Sequence, residues 1–402
     1  MSLIQVGLLL FVMMGFSTFV SDYGVLWLAR GQAQNVADAA ALAGATARMF
    51  DEPANPPAVN GAAAQSAQVA VAANKVLGVA PASVVRFEPD VTGPPTCLVA
   101  GARCVQVDVF RDNANGNPLP TYFANAFGKT SQNVRATATA QVITANATDC
   151  LRPFAVPDLW VDVTPGTADN AAGEYHHYKD SNPGKGTVLP NPDTYVKPTS
   201  TDPGTGYTIG NNYGTLITLK YPNGNNTPEQ PGWYLAIDVP RADGAPSAGG
   251  ARYDANIAGC NGIPIDIGDY LQTETGAKVG PTKDGIAALI AQDPDATWNS
   301  STKTIDNTCA PGCGAYSPRV IALGVYNTEK YDYSRTHNDW SYCAGGGTCV
   351  QIVNFLAFFV AGIDNNGTVT GYLTREAGLL ISGGGTSLNN QSSFMSVVQL
   401  VR

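Results

Sequence analysis

The sequence predicts an α+β protein: a long N-terminal apolar helix and a second helix, then a mainly antiparallel β body with long loops and disulfides. Three observations predict it. Leu3 to Val20 carries no charge over 18 residues, which as helix cover about 27 Å, most of a bilayer's hydrocarbon core. Alternating apolar patterns recur between Val84 and Thr144, and eight cysteines all lie beyond the helix. The expected organisation is a helix over 1–49, a helix-plus-strand segment over 50–148, and a disulfide-stapled β-rich body over 149–402.

The first helix meets no proline before Pro53, and its apolar run is broken only by Gln5, Gly7, Gly15, Ser17 and Thr18. Ser21, Asp22, Tyr23 and Gly24 interrupt the run, Val25–Ala29 resumes it before Arg30, and Gln32–Met49 continues as an alanine-rich stretch of high helix propensity. A cleaved secretory signal is the competing reading. Ala37–Ala45 offers A-x-A cleavage sites, but no Lys or Arg precedes Arg30 and the apolar run is long, so a retained anchor is preferred. Asp22 either sits at the membrane–water boundary or neutralises a neighbour's Arg30 or amino terminus.

Residues 60–78 read as a second helix that folds back on the first. Val84–Phe87, Cys104–Phe110 and 131–144 alternate as strands, and 121–128 reads as a helix with Phe123 and Phe127 on one face. From Asp149 to Ala258 turn residues dominate, with short strands at Leu216–Leu219 and Trp233–Val239. A helix is expected at 282–292 with Thr282 as its cap, then strands at Arg319–Tyr326 and Val350–Gly362.

Charged residues make up 14% of the chain, about half the share of an ordinary soluble domain, a composition common in exported proteins. The net charge of −9 and the lack of any Lys/Arg cluster exclude nucleic acid as a partner. Cysteine spacing points to local pairs, Cys97 with Cys104, Cys309 with Cys313 and Cys343 with Cys349, leaving Cys150 and Cys260 to pair across the body. Zinc on the last four thiols fits the spacing of structural sites less well.

No assembled catalytic motif is present, and no enzyme activity is expected. His176-His177 beside Glu174 and Asp180 reads as a solvated loop, because neighbouring side chains on a strand face opposite ways. His337 near Asp332, Ser334, Asp339 and Ser341 lacks the turn that presents a nucleophilic serine. Asp364–Thr368 reads as a hairpin turn between strands, and no metal site or cofactor is expected; calcium on the Asn/Asp-rich loops at 180–213 and 223–226 has no specific support.

Asp22-Tyr23-Gly24, Leu26–Arg30 and the run Gln32-Ala33-Gln34-Asn35-Val36-Ala37-Asp38-Ala39-Ala40-Ala41-Leu42-Ala43-Gly44-Ala45 resemble the N-terminal signature of TadE/TadG-like proteins of the tight-adherence (Flp-type) pilus assembly system. Val105–Val109, Pro118–Gly128, Val134–Ala140 and Cys150–Asp158 resemble, more loosely, what usually follows. The D-x-S-x-S loop of the von Willebrand type A domain carried by larger relatives is not found, and Gln5 stands where mature Flp-class prepilins have a glutamate.

The resemblance implies a non-enzymatic structural or assembly component of a surface pilus in the bacterial envelope, favouring a minor or tip subunit given the length of the chain. It would contact the membrane and other pilus subunits through its helix, with Asp22, Gly24, Arg30, Asn35, Ala37, Asp38, Ala41 and Gly44 as assembly residues. Leucine at Gly44 or Ala41 would then disrupt assembly while leaving the body folded. The alternative is a membrane-tethered extracytoplasmic protein that binds glycan or calcium without a pilus role, its aromatics at 331–342 and Trp233-Tyr234 stacking on sugar rings.

Overall fold

The computed structural model describes residues 2–50, 58, 60–88, 97–98, 102–163, 172–222, 229–244, 249–276, 278–310, 312, 316–344, 347–382 and 387–401. The chain divides into two units, Met1–Ile143 with Val398–Arg402, and Thr144–Val397. It is an α+β protein: a long apolar N-terminal helix followed by a mostly antiparallel β body with disulfides.

In the first unit, helix α1 spans Ser2–Phe50, 49 residues or about 74 Å. Helix α2, Ala62–Ala73, lies against it. Strands β1 (Ala82–Phe87), β2 (Arg103–Arg111) and β3 (Val134–Thr144) form an antiparallel sheet in that order. On the far side of β3 lies the terminal strand, Met395–Val401, whose residues from Val398 onward belong to this unit.

The core of the first unit is built from small side chains. Ala33, Ala37, Ala40, Ala41 and Ala45 of α1 meet Ala67 and Val71 of α2 and the inward row Val105, Val107 and Val109 of β2. Alanine lets backbones approach closely, and at Gly44 the approach is closest. A Cβ there would lie 2.8 Å from Val105 Cγ1 and 3.3 Å from both the Ala63 carbonyl and Ala67 Cβ. The expectation that leucine at Gly44 or Ala41 leaves the body folded therefore meets a steric obstacle, because both positions face the chain's own core.

The second unit is centred on a mixed sheet. Its strands are β4 (Leu151–Pro157), β5 (Leu216–Leu219), β6 (Leu235–Ala236), β7 (Tyr270–Gln272), β8 (Val320–Tyr326), β9 (Cys349–Ile363) and β10 (Val369–Thr374). The order is β5-β10-β9-β8-β4-β6, with β7 also pairing β9. The β4–β8 pair is parallel and its neighbours are antiparallel. Helices α3 (Gly250–Ala258) and α4 (Val279–Ile290) pack on each other, and α5 spans Thr328–His337. Large side chains fill this core, among them Phe154, Tyr234, Tyr253, Leu323, Phe358 and Phe359.

Several elements differ from the sequence reading, each for a physical reason. Helix α2 stops at Ala73 because the chain turns through Leu77 and Gly78, both at positive φ. The stretch 121–128 holds only a 3₁₀ turn, Ala124–Phe127. Helix α4 starts at Val279 with Pro281 in its first turn, where the missing N–H carries no penalty. Thr282 is not its cap; it is buried, with its hydroxyl 3.2 Å from Tyr234 Oη and 3.3 Å from Tyr253 Oη.

Cys97 is joined to Cys104, Cys150 to Cys260 and Cys343 to Cys349. Cys309 is also disulfide-bonded, and Cys313 lies outside the described residues. Asp364 Oδ1 accepts the N–H groups of Asn366 and Thr368, each at 2.8 Å, and so closes the hairpin between β9 and β10. Residues 223–226 lie outside the described residues.

Candidate functional site

Exposure changes along α1. Among the described side chains its apolar residues are exposed from Leu3 to Val20; Val25 and Leu26 are half-buried, Leu26 against the core, and Leu28 is 56% exposed whereas Ala29 is 0% exposed. The first part of the helix thus shows apolar side chains on all sides, and the second part is packed into the unit. It is long and apolar enough to cross a membrane by length and composition.

The polar residues of the run that follows Arg30 serve the same packing. Gln32 Oε1 accepts the N–H of Leu77 at 2.7 Å and so holds the turn that follows α2. Gln34 Nε2 donates to Asp38 Oδ1 at 2.8 Å and to the Thr137 carbonyl of β3 at 3.2 Å. Of the residues singled out for assembly, Ala37, Ala41 and Gly44 are buried in the unit and Asp38 is half-buried beside Gln34. Gly24, Arg30 and Asn35 are exposed.

Asp22 finds partners within its own unit. It is 5% exposed and accepts N–H groups from three consecutive residues: Tyr122 (2.9 Å), Phe123 (3.2 and 3.3 Å) and Ala124 (2.6 Å). The free donors at the start of the 3₁₀ turn are satisfied by one carboxylate. This clasp carries exposed rings with it: Tyr122 and Phe123 on the loop, and Tyr23 and Trp27 on the helix, the latter pair stacked at 6.4 Å.

The second unit holds a cavity of about 360 Å³. Two distant stretches supply its aromatic walls: Tyr221, Trp233 and Tyr234 from one, Tyr326, Tyr331 and Trp340 from the other. The two groups of aromatics that the sequence offers as stacking surfaces are therefore brought together. Within the second stretch Tyr326 and Tyr331 lie 5.2 Å apart, and Tyr331 and Trp340 5.5 Å, edge to face.

Beside these rings lies a buried cluster of charge. Arg335 donates to Asp180 Oδ1 and to Asp332 Oδ1, each at 2.6 Å, and Asp332 Oδ2 accepts the N–H groups of His177 and Tyr178 at 3.2 Å. Glu229, 3% exposed, lines the cavity, and no other described residue donates a hydrogen bond to either of its oxygens; its ion-pair partner, the Arg335 Nη2 atom, is 4.0 Å away. Burial, reinforced by the charge of Asp332, pushes the Glu229 carboxyl well above the usual range, and Arg335 opposes the shift. Burial disfavours the charge of Arg335, yet Glu229, Asp332 and Asp180 outweigh it and hold the guanidinium protonated.

The other candidates for chemistry resolve into structural roles. His176 is not solvated: it is buried, with Nε2 3.3 Å from Glu174 Oε2 and Nδ1 3.5 Å from Asp180 Oδ2. His337 is exposed and stacks on Tyr333 at 4.1 Å. Ser334 Oγ instead bonds the Lys330 carbonyl and Tyr342 Oη, and Ser341 bonds Asp339 through its N–H. Among the described residues, the grouping with metal-ligand geometry is Glu88 with Cys97 and Cys104, whose sulfurs are committed to a disulfide.

Sequence reasoning missed Glu229 and Arg335. Glu229 follows a glycine- and asparagine-rich loop with no periodicity, so nothing local reports its burial. Helix α5, which carries Arg335, is polar on every face. Its ends did carry signals: Asn327 accepts the Lys330 N–H as a cap, and Asn338 closes the helix in the left-handed region.

No curated protein and no solved structure matches the chain. Residues 4–47, the exposed apolar helix and the buried alanine run together, match the family model Tad, described as "Putative Flp pilus-assembly TadE/G-like".

Proposed function

We propose that the protein is a non-enzymatic component of a tight-adherence pilus machinery, held in the envelope membrane by residues 3–20 of α1, with the chain from Asp22 onward outside the bilayer. The observation that carries this reading is the change along α1 from an exposed apolar run that ends at Val20 to a helix packed into the first unit, which begins at Asp22 and is continued by Ala29. Water penalises the exposed part heavily, so lipid or the apolar helices of neighbouring subunits must cover it. The rings of Tyr23, Trp27, Tyr122 and Phe123 supply the aromatic belt expected at a membrane–water boundary.

The same change argues for retention of the helix. Cleavage anywhere in Ala37–Ala45 would sever a helix whose alanines fill the core of the first unit. Length favours a minor or tip subunit over the repeating one. Surfaces left for neighbours on the helix are the apolar run together with Gly24, Arg30 and Asn35.

Mass spectrometry of sheared surface filaments, read together with the mature N-terminus, tests the proposal. The chain should be found in filaments or their base complex with residues 3–20 intact. Recovery only as a soluble form that starts after the alanine run would remove the anchor and, with it, the pilus reading. The aromatic cavity supports a second reading, a tethered extracytoplasmic binding protein, which needs no filament.

A further inference from the structure

A buried carboxylate without hydrogen-bond donors is costly, and it persists where something else compensates it. The cluster in the second unit has three carboxylates, Asp180, Asp332 and Glu229, around one guanidinium. Arg335 commits its short contacts to the first two and stands 4.0 Å from Glu229, which leaves Glu229 as the member with no hydrogen bond from another described residue. Glu274, the other acid on the cavity wall, already pairs with Lys278. Lys185 also lines the cavity but is exposed, and it makes no hydrogen bond to Glu229.

The walls fit the same demand. Tyr and Trp faces carry negative charge density and attract a cation within about 6 Å. Trp233, Tyr331 and Trp340 are half-buried, so their rings remain partly open for contact. A neutral sugar could stack on such rings, but it would offer the buried Glu229 carboxyl no positive partner. We propose that this cavity binds an ammonium or guanidinium head on a short aliphatic stem, with Glu229 accepting the head's N–H groups and the Trp233, Tyr331 and Trp340 rings covering the stem.

Two sources share this chemistry: a free small amine, and the Lys or Arg side chain of another polypeptide. Full-length protein in detergent is titrated with cadaverine and with Nα-acetyl-lysine methylamide, following tryptophan emission and heat; pentanediol and maltose serve as neutral counterparts. Saturation by at least one amine, and by neither neutral compound, is expected. Saturation by cadaverine alone assigns a free amine, and saturation by the lysine derivative assigns a side chain.

Glu229→Gln should weaken amine binding by about tenfold or more while melting cooperatively at or above the temperature of the native protein. Trp340→Ala should weaken it severalfold, and guards against a folding defect confined to the first variant. Unchanged amine affinity in Glu229→Gln, equal binding of pentanediol, saturation by maltose alone, or no saturable binding would each overturn the proposal. Filament association plays no part in these readouts, so the pilus reading stands or falls separately.

Discussion

Asp22 in the first unit and Glu229 in the second are both nearly inaccessible carboxyl groups, yet Asp22 receives N–H groups from three consecutive residues and Glu229 receives none from any other described residue. The surroundings differ in the same sense. Alanine and valine close the first unit so tightly that Gly44 has no room for a side chain, whereas aromatic walls in the second enclose a cavity of about 360 Å³. A satisfied acid in a close-packed setting holds structure together. An unsatisfied acid beside empty space is the one that calls for a ligand.

Four measurements break or sharpen this contrast. The largest effect is expected from Gly44→Leu, which forces a side chain into Val105 and Ala63. It should destabilise the first unit by on the order of 4 kcal/mol or more, read as loss of hydrogen-exchange protection in α2 and β2. Retained protection there would show that the helix–sheet packing has slack that the distances deny.

Asp22→Ala comes next. It strands the N–H groups of Tyr122, Phe123 and Ala124, a loss of about 2–3 kcal/mol. Exchange should accelerate over 119–132 first, and uniform change across the unit would contradict a local clasp.

The third test uses pH. Asp158 is fully buried and accepts from Leu159, Tyr207 and Tyr195, but burial wins and pushes its carboxyl up to about 6 from 3.8. Between those values the folded state holds the proton more tightly than the unfolded chain. Stability from this group is therefore present below about pH 4 and lost as pH rises toward 6, by roughly 3 kcal/mol. Asp158→Asn should flatten that part of the pH profile of the second unit, and an unaltered slope would reject the assignment.

The smallest effect is expected at Glu229, and its sign is opposite. Glu229→Gln removes a buried carboxyl that no other described residue hydrogen-bonds and should leave stability unchanged or raise it by about 1 kcal/mol. A marked loss would mean that Glu229, like Asp22, is a structural acid.

Much of the fold was legible in the sequence because it is written in local periodicity. The uncharged run from Leu3 to Val20, the alternation of β2 and β3, and the apolar β9 flanking an Asp-Asn-Asn-Gly turn each announce themselves within a dozen residues. The alanine run was equally visible, but what covers it was not: small residues allow close approach to any partner, and the sequence does not say whether that partner is the same chain. The parallel pairing of β4 with β8 joins strands more than 150 residues apart and leaves no local trace. The cavity failed to show for the same reason, since Trp233 and Trp340 meet only once the sheet is assembled.

The position of the terminal strand has a consequence for biogenesis. The sheet of the first unit is completed by residues from Val398 onward, among them Gln399, whose side-chain oxygen accepts from Gln141 Nε2 at 3.3 Å. Everything from Thr144 to Val397 must therefore be synthesised and delivered while β3 waits with one edge open. An open edge is a template for any passing strand. The first unit, whose helix is made first, is thus among the last parts of the molecule to close, and in that interval it is the part most in need of another protein to shield it.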